Sequence, residues 1–125
     1  MDKSSKAERA IQVLYLVVPC YNEEEIIEKS ARVLGDKIRR LQQAGRIARG
    51  SKVMFVNDGS KDRTLQLLHA AAARDALFSV ISLAGNYGHQ SAILAGMMTA
   101  KQYADAVVTV DADLQQDIEA LDRFL

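Results

Sequence analysis

The chain has 125 residues, 49% of them hydrophobic and 26% charged, which is the composition of one soluble globular domain with a real core. Lys and Arg together number 16, as do Asp and Glu, so the net charge is zero and nucleic acid is a poor candidate partner. A single cysteine excludes an internal disulfide, and no apolar run approaches the roughly 20 residues that span a bilayer.

Apolar runs and turn residues predict strands that alternate with helices. Residues 1–10 are polar and are predicted to be a flexible lead-in. Strands are predicted at residues 11–18, 53–56, 78–83 and 106–110, and helices at 23–43, 61–74 and 89–103, with a last helix from near residue 117. Strands that are apolar throughout, joined by helical crossovers, predict an α/β fold: a Rossmann-like, open, mostly parallel sheet with helices on both faces.

Local signals refine these boundaries. Pro19 is expected to end the first strand, and Asn22 with Glu25 is expected to form a capping box at the start of the first helix. Small residues at positions 92, 95, 96 and 100 predict a third helix packed closely on the sheet. The last helix runs to Leu125 without a stop signal, so we expect the chain to be the N-terminal part of a longer one.

Four polar loops follow the four predicted strands, at residues 19–23, 57–60, 86–88 and 111–115. The carboxyl ends of parallel strands meet at one edge of an open sheet, and ligands bind there in the crevice where the strand order reverses. The sequence therefore predicts one ligand site built from several loops.

Asp111, Asp113 and Gln115 follow the fourth strand at alternate positions. If the chain stays extended, their side chains leave the same face, because strand side chains alternate. Carboxylate and amide oxygens are hard ligands that suit Mg²⁺ or Mn²⁺, a metal normally shared with the phosphates of a nucleotide. Aspartates also follow strands as turn and cap residues, so this short pattern alone does not decide between the two readings.

Several familiar sites are absent from the sequence. There is no G-x-G-x-x-G after the first strand, no G-K-S/T loop, no His/Cys cluster with zinc spacing and no G-x-S-x-G elbow. What remains is a nucleotide site made of strand-end loops, an acidic residue that reads the base, and a divalent metal.

Five motifs in order resemble those of the family 2 glycosyltransferases: PCYNE at 19–23, NDGSKDRT at 57–64, NYG at 86–88, AG at 95–96 and DADLQ at 111–115. More narrowly, they resemble the polyprenyl-phosphate branch, which includes dolichyl-phosphate mannose synthases and undecaprenyl-phosphate glycosyltransferases. The resemblance covers residues 11–125 and implies that they form the nucleotide-sugar-binding half of a GT-A fold, truncated at the C-terminus.

The resemblance also implies an activity: inverting transfer of a sugar from a nucleotide-diphosphate donor to a polyprenyl phosphate. The parent protein would lie at the cytoplasmic face of a membrane, held by segments absent here, while this chain would be soluble. A homo-oligomer is left open. Because the acceptor-binding half is absent, we expect the chain to bind donor and metal without turnover.

The residue roles implied by the resemblance fall into three groups. Pro19, Tyr21 and Glu23 would line the nucleoside pocket, and Asp58 would hydrogen-bond the base. Asp111 would lie near the ribose and diphosphate, and Asp111 and Asp113 are the candidate catalytic residues. The Mg²⁺ or Mn²⁺ ligands would be Asp111, Asp113 and Gln115.

The residues themselves leave alternatives open. Asp58 could simply cap a turn, and Glu23 could favour the dipole of the first helix from its first turn. The chain also departs from the family pattern: Asn57 replaces an acid, and Gly85 stands where an arginine is common. Cys20 has no paired base in the sequence and is expected to be a small buried residue.

Two other functions are compatible with the pattern. The chain could be a non-catalytic nucleotide- or metal-binding module. It could also be a phosphatase of the haloacid dehalogenase type, whose nucleophile lies in a D-x-D after a buried strand. That D-x-D usually closes the first strand, whereas here it follows the fourth.

Overall fold

A computed structural model describes residues 11–114 and 118–124. Its sheet has four strands in the order β3-β2-β1-β4. The strands are β1 (Leu14–Cys20), β2 (Lys52–Asn57), β3 (Phe78–Ser82) and β4 (Ala106–Thr109). Every neighbouring pair is parallel, which confirms the predicted open α/β sheet.

Helices cover both faces of this sheet. They are α1 (Ile27–Gln43), α2 (Thr64–Arg74) and α3 (His89–Ala100), followed near the end by a 3₁₀ turn (Ile118–Ala120) and the short α4 (Leu121–Phe124). The predicted start of the last helix, at Asp117, lies outside the described residues. Across the described ranges, no helix has both the length and the apolar character needed to cross a membrane.

The central strand β1 separates two hydrophobic clusters. Leu14, Leu16 and Val18 pack with α1 and α2, whereas Tyr15 and Val17 pack with α3. Successive strand side chains point to opposite faces, so a strand that is buried throughout must be covered on both sides. This double cover explains why the β1 sequence is continuously apolar.

The helix α3 approaches the sheet closely, as the small residues predicted. A Cβ atom added to Gly96 would lie 2.4 Å from Val17 Cγ1 and 2.8 Å from Val56 Cγ2. Those distances are shorter than van der Waals contact, so only glycine fits at this position. The close packing holds the second half of α3 against β1 and β2.

Pro19 does not end the first strand. It lies inside β1 and is in register with Val56 of β2. Pairing of β1 with β4 ends at Val17 and Thr109. The Val110 N–H donates to the Val17 carbonyl, so the Pro19 nitrogen, two residues further on, faces the β4 side beyond the last strand pair. The N–H that Pro19 lacks is therefore not needed for the hydrogen bonds between β1 and β2 or between β1 and β4.

The predicted capping box is also wrong. The helix α1 begins at Ile27 and not at residue 23, and its N-cap Ile26 makes no side-chain cap hydrogen bond. Asn22 has a φ of +51°, and its side-chain oxygen accepts the Lys61 N–H at 2.8 Å. Asn22 therefore joins two loops across the sheet edge.

Candidate functional site

The strand order places a crevice between the carboxyl ends of β1 and β4. From β1 the chain moves outward through β2 and β3, and β4 then lies on the other side of β1. The crevice is a cavity of about 290 Å³. It is lined by all six described residues predicted from the sequence: Pro19, Tyr21, Glu23, Asp58, Asp111 and Asp113. Gln115, the third predicted metal ligand, lies outside the described residues.

The two aspartates reach the cavity by a route that differs from the prediction. The chain leaves β4 at Thr109 and forms a turn in which the Leu114 N–H donates to the Asp111 carbonyl at 3.0 Å. Leu114 has a φ of +60°. The segment is therefore not extended, and strand alternation does not explain why Asp111 and Asp113 share a side.

Ala112 provides the explanation. It is 3% exposed and belongs to the cluster between the sheet and α1. Its carbonyl accepts a hydrogen bond from the Ser30 hydroxyl of α1. Because Ala112 is anchored in the core, the side chains on either side of it, Asp111 and Asp113, are presented at the cavity.

Glu23 is an acid of the cavity whose pKa departs from its ordinary value. Its pKa is raised, first by burial and then by the negative charges of Asp113, Asp111 and Asp62, while His89 opposes the shift. Its Oε2 atom is buried and has no hydrogen-bond partner among the described residues. Glu23 lies four positions before Ile27, the first residue of α1, and its carbonyl accepts the Ile27 N–H at 3.2 Å, so its role toward the helix dipole stays a prediction.

The backbone around Glu23 is held by the loop that follows β2. The Asn22 N–H donates to Ser60 Oγ at 2.9 Å, and the Glu23 N–H donates to Thr64 Oγ1 at 2.7 Å. The Glu24 N–H donates to Asp62 Oδ2 at 3.2 Å. No role was predicted for these three acceptors. Their signal in the sequence is the alternation of oxygen-bearing side chains at positions 60, 62 and 64 with basic residues at 61 and 63.

The end of β2 contributes two buried polar residues. Asn57 is 2% exposed, and its side-chain amide donates to Ser82 Oγ at 3.1 Å. Asp58 is 4% exposed and accepts the backbone N–H groups of Tyr87 at 2.8 Å and Gly88 at 3.0 Å. Asp58 thus makes more contacts than a turn cap requires, and its predicted contact with a base stays a prediction.

The remaining cavity residues differ in accessibility. Tyr21 is 39% exposed, so its ring is available to a ligand. Cys20 is buried, and burial followed by the charge of Glu23 raises the pKa of its thiol far above the usual range. A thiol that stays protonated is a poor nucleophile, which supports the expectation that Cys20 is structural.

The acids fit a metal that is shared with a ligand. In the part of the chain that the structure describes, no group of three or more His, Cys, Asp or Glu could hold a metal ion. Mg²⁺ is commonly bound by one or two carboxylates and completed by phosphates and water. Asp111 and Asp113 supply hard oxygen donors of that kind, and the raised pKa of Glu23 shows that their negative charge acts on the cavity.

The family model described as "Glycosyl transferase family 2" matches residues 15–125. The chain belongs to this family. The membership confirms the resemblance and excludes the haloacid dehalogenase alternative. The residues of the family motifs are arranged at the ends of the parallel strands.

Three similar curated proteins are each much longer than this chain. It is 43% identical over 113 residues to "Uncharacterized glycosyltransferase YkoT" of Bacillus subtilis, covering 90% of the chain and 34% of that protein. It is 41% identical over 118 residues to "Undecaprenyl-phosphate 4-deoxy-4-formamido-L-arabinose transferase" of Pseudomonas paraeruginosa, covering 92% and 32%. It is 36% identical to "Bactoprenol glucosyl transferase" of Shigella phage SfV, covering 88% and 33%. The chain thus spans about a third of each of these relatives.

A solved structure shares the fold. The mannosyltransferase PcManGT from Pyrobaculum calidifontis, in complex with GDP-Man and Mn²⁺, superimposes with a TM-score of 0.69 at 21% identity, covering 94% of this chain and 36% of that one. The likeness confirms the GT-A type of α/β fold. The roles of the individual cavity residues stay predictions.

Proposed function

We propose that this chain is the donor-binding part of an enzyme that transfers a sugar from a nucleotide diphosphate to a polyprenyl phosphate. The observation that carries the proposal is the convergence of Pro19, Tyr21, Glu23, Asp58, Asp111 and Asp113 on one crevice between β1 and β4. Loops that are distant in sequence supply these residues, and binding of one ligand would explain why they converge.

The donor would lie across this crevice. Pro19 and Tyr21, the latter partly exposed, line the cavity and would lie next to the nucleoside, and Asp58 lines it from the end of β2. Asp111 would face the ribose and diphosphate. The GDP-Man and Mn²⁺ bound in the mannosyltransferase of the same fold support a nucleotide sugar and a divalent metal as the ligands.

Asp111 and Asp113, with the predicted Gln115, would hold Mg²⁺ or Mn²⁺ beside the diphosphate. A divalent cation at this place offsets the negative charge that develops on a diphosphate leaving group. Burial and then the charges of Asp113 and Asp111 raise the pKa of Glu23, so the carboxylates of this cavity act on one another there. Asp111 and Asp113 would thus act in catalysis through the leaving group.

The proposed acceptor is a polyprenyl phosphate. Relatives named for undecaprenyl phosphate and for bactoprenol support this class. In an inverting transfer, a phosphate oxygen forms the new bond to the anomeric carbon while the bond to the nucleoside diphosphate breaks. The phosphate nucleophile is already anionic, so the reaction needs little help from a general base. The full-length enzyme would work at the cytoplasmic face of a membrane, and self-association is left open.

The chain by itself is expected to bind donor without turnover. A second candidate function for this chain, which spans about a third of these relatives, is a nucleotide- or metal-binding module without transfer activity. Calorimetry with UDP, GDP and CDP in Mn²⁺ tests donor binding. A turnover assay with a nucleotide sugar and a polyprenyl phosphate separates binding from transfer. It is run on this chain and, for comparison, on a longer chain that has the length of its relatives. Failure of all three nucleotides to bind the folded chain would refute the proposal.

A further inference from the structure

Asp58 holds a loop that belongs to the neighbouring strand. Its Oδ1 accepts the Tyr87 N–H at 2.8 Å, and its Oδ2 accepts the Gly88 N–H at 3.0 Å. Both donors are backbone groups of the loop between β3 and α3, 29 and 30 positions away in the chain. Hydrogen bonds to an ionised carboxylate are stronger than neutral ones, so this contact fixes the loop.

Gly59 provides the surface on which the same loop rests. Its φ is +69°, and a Cβ atom at this position would lie 2.4 Å from both Asn86 N and Gly85 C. The atoms it would meet are backbone, which cannot rotate away as a side chain could. Asp58 and Gly59 therefore form a seat for the loop. Asp58 accepts hydrogen bonds from the loop, and Gly59 leaves the space in which the loop backbone lies.

The seated loop forms one wall of the cavity. Asn86 and Gly88 line it, and so does His89, the first residue of α3. The Gly88 carbonyl accepts the Ala92 N–H at 3.0 Å, which ties the loop to the first turn of that helix. A shift of the loop would thus move the wall and the start of α3 together.

We propose that Asp58 serves donor binding as a positioning residue: it seats the 85–88 loop so that the cavity wall is in place before the nucleotide binds. This inference rests on the proposed function and refines the predicted contact between Asp58 and the base. Each oxygen of the carboxylate accepts a backbone N–H and keeps a second lone pair, so holding the wall is the role that the contacts of Asp58 support.

Asp58→Asn tests the inference, because the amide keeps one acceptor and turns a donor toward the other backbone N–H. We expect amide exchange at Tyr87 and Gly88, measured by NMR, to accelerate about tenfold, the effect of losing one charge-assisted hydrogen bond. Affinities for UDP, GDP and CDP with Mn²⁺ should fall by a similar factor for all three. Their ranking should therefore stay that of the unaltered chain.

Direct reading of the base by Asp58 predicts another pattern. The preferred nucleotide would lose far more affinity than the others, the ranking would change, and Gly59→Ala, which keeps the carboxylate, would leave the affinities unaltered. That result would overturn the inference while leaving the proposed function standing. An unaltered chain that binds none of the three nucleotides would instead refute the proposed function, so the two failures are distinguishable.

Two glycine variants supply a matched pair that leaves the carboxylate intact. Gly59 and Gly45 have φ values of +69° and +73°, but a Cβ at Gly45 meets nothing within 4 Å. Gly59→Ala should lower the affinity for all three nucleotides about equally, because the added methyl group displaces the loop. Gly45→Ala carries the same backbone strain and should leave those affinities unchanged. Equal effects of the two variants on binding would contradict the seat.

Discussion

The carboxylates in the cavity and those near the end of the chain have different surroundings. We call Glu23, Asp111 and Asp113 the cavity acids, and Glu119 and Asp122 the paired acids. Burial and then neighbouring negative charges raise the pKa of Glu23. A hydrogen bond from Lys37 is the main cause that lowers the pKa of Asp122, and Arg46 acts in the same direction.

The paired acids stabilise the fold by binding Lys37. Lys37 of α1 is 4% exposed and its Nζ lies 2.8 Å from Asp122 Oδ2 and 3.2 Å from Glu119 Oε2. These contacts join the segment after residue 117 to the first helix. Acids that bind a lysine stabilise the fold, whereas carboxylates that line a cavity supply oxygen ligands to a cation that arrives with a substrate.

The largest effect is expected from Asp113→Asn. Removing one of the two carboxylates that would hold the metal should weaken Mn²⁺-dependent nucleotide binding about 100-fold or more. Glu119→Gln makes the same change of charge among the paired acids, on a side chain that is 71% exposed, and should leave the affinity unchanged. Calorimetry measures both variants. If Asp113→Asn and the unaltered chain bind the nucleotide equally well, the cavity acids do not differ from the paired acids in metal binding.

Lys37→Met should destabilise the fold by about 1 kcal/mol at pH 7, because both ion pairs are lost while the partly exposed partners return to water. The raised pKa of Lys37 means that its contribution is present below its usual pKa and is lost as the pH rises through the raised value. The lowered pKa of Asp122 means that its contribution is present at neutral pH and is lost as the pH falls through the lowered value. Denaturant unfolding at neutral and alkaline pH measures the difference, which should disappear at the alkaline end.

Glu23→Gln should stabilise the folded chain, whereas Lys37→Met should destabilise it. Because the pKa of Glu23 is raised, its contribution favours the folded state at low pH and is lost as the pH rises through that value. The neutral amide should therefore stabilise the metal-free chain at pH 7.5, by about 0.5 to 1 kcal/mol. The gain should shrink toward pH 4.5, and unfolding in denaturant with a chelator present measures both. A loss of stability of the Glu23→Gln variant at pH 7.5 would show that ionised Glu23 does not destabilise the folded chain.

The smallest effect is expected from Arg39→Met. The Arg39 side chain is 45% exposed and its partner Asp75 is 27% exposed, so water screens the pair. Its loss should change the free energy of unfolding by no more than about 0.5 kcal/mol. The variant is a control for Lys37→Met, because it removes a cation from the same helix at a more exposed position. Thermal unfolding compares the two.

The order of strands and helices could be predicted because local apolar patterns encode it. The β1 sequence is apolar at every position, and the small face of α3 predicted the approach that Gly96 permits. The place of the cavity followed from topology, since polar loops after parallel strands must meet at one edge.

The details of the loops could not be predicted in this way. The contacts that position Asn22 and Glu23 come from Ser60 and Thr64, 38 and 41 residues away. The two aspartates of the D-x-D segment share a side because Ala112 is anchored by Ser30, 82 residues earlier in the chain. No local periodicity encodes such contacts, and the extended segment and the capping box were wrong for that reason.

The most direct test of the central claim is a calorimetric titration of this chain with UDP, GDP and CDP, with Mn²⁺ and then with a chelator in excess. We expect at least one nucleotide to bind when Mn²⁺ is present and binding to be lost when the metal is removed. A folded chain that binds no nucleotide, or one that binds equally well without metal, would contradict a site in which Asp111 and Asp113 hold a cation beside a diphosphate.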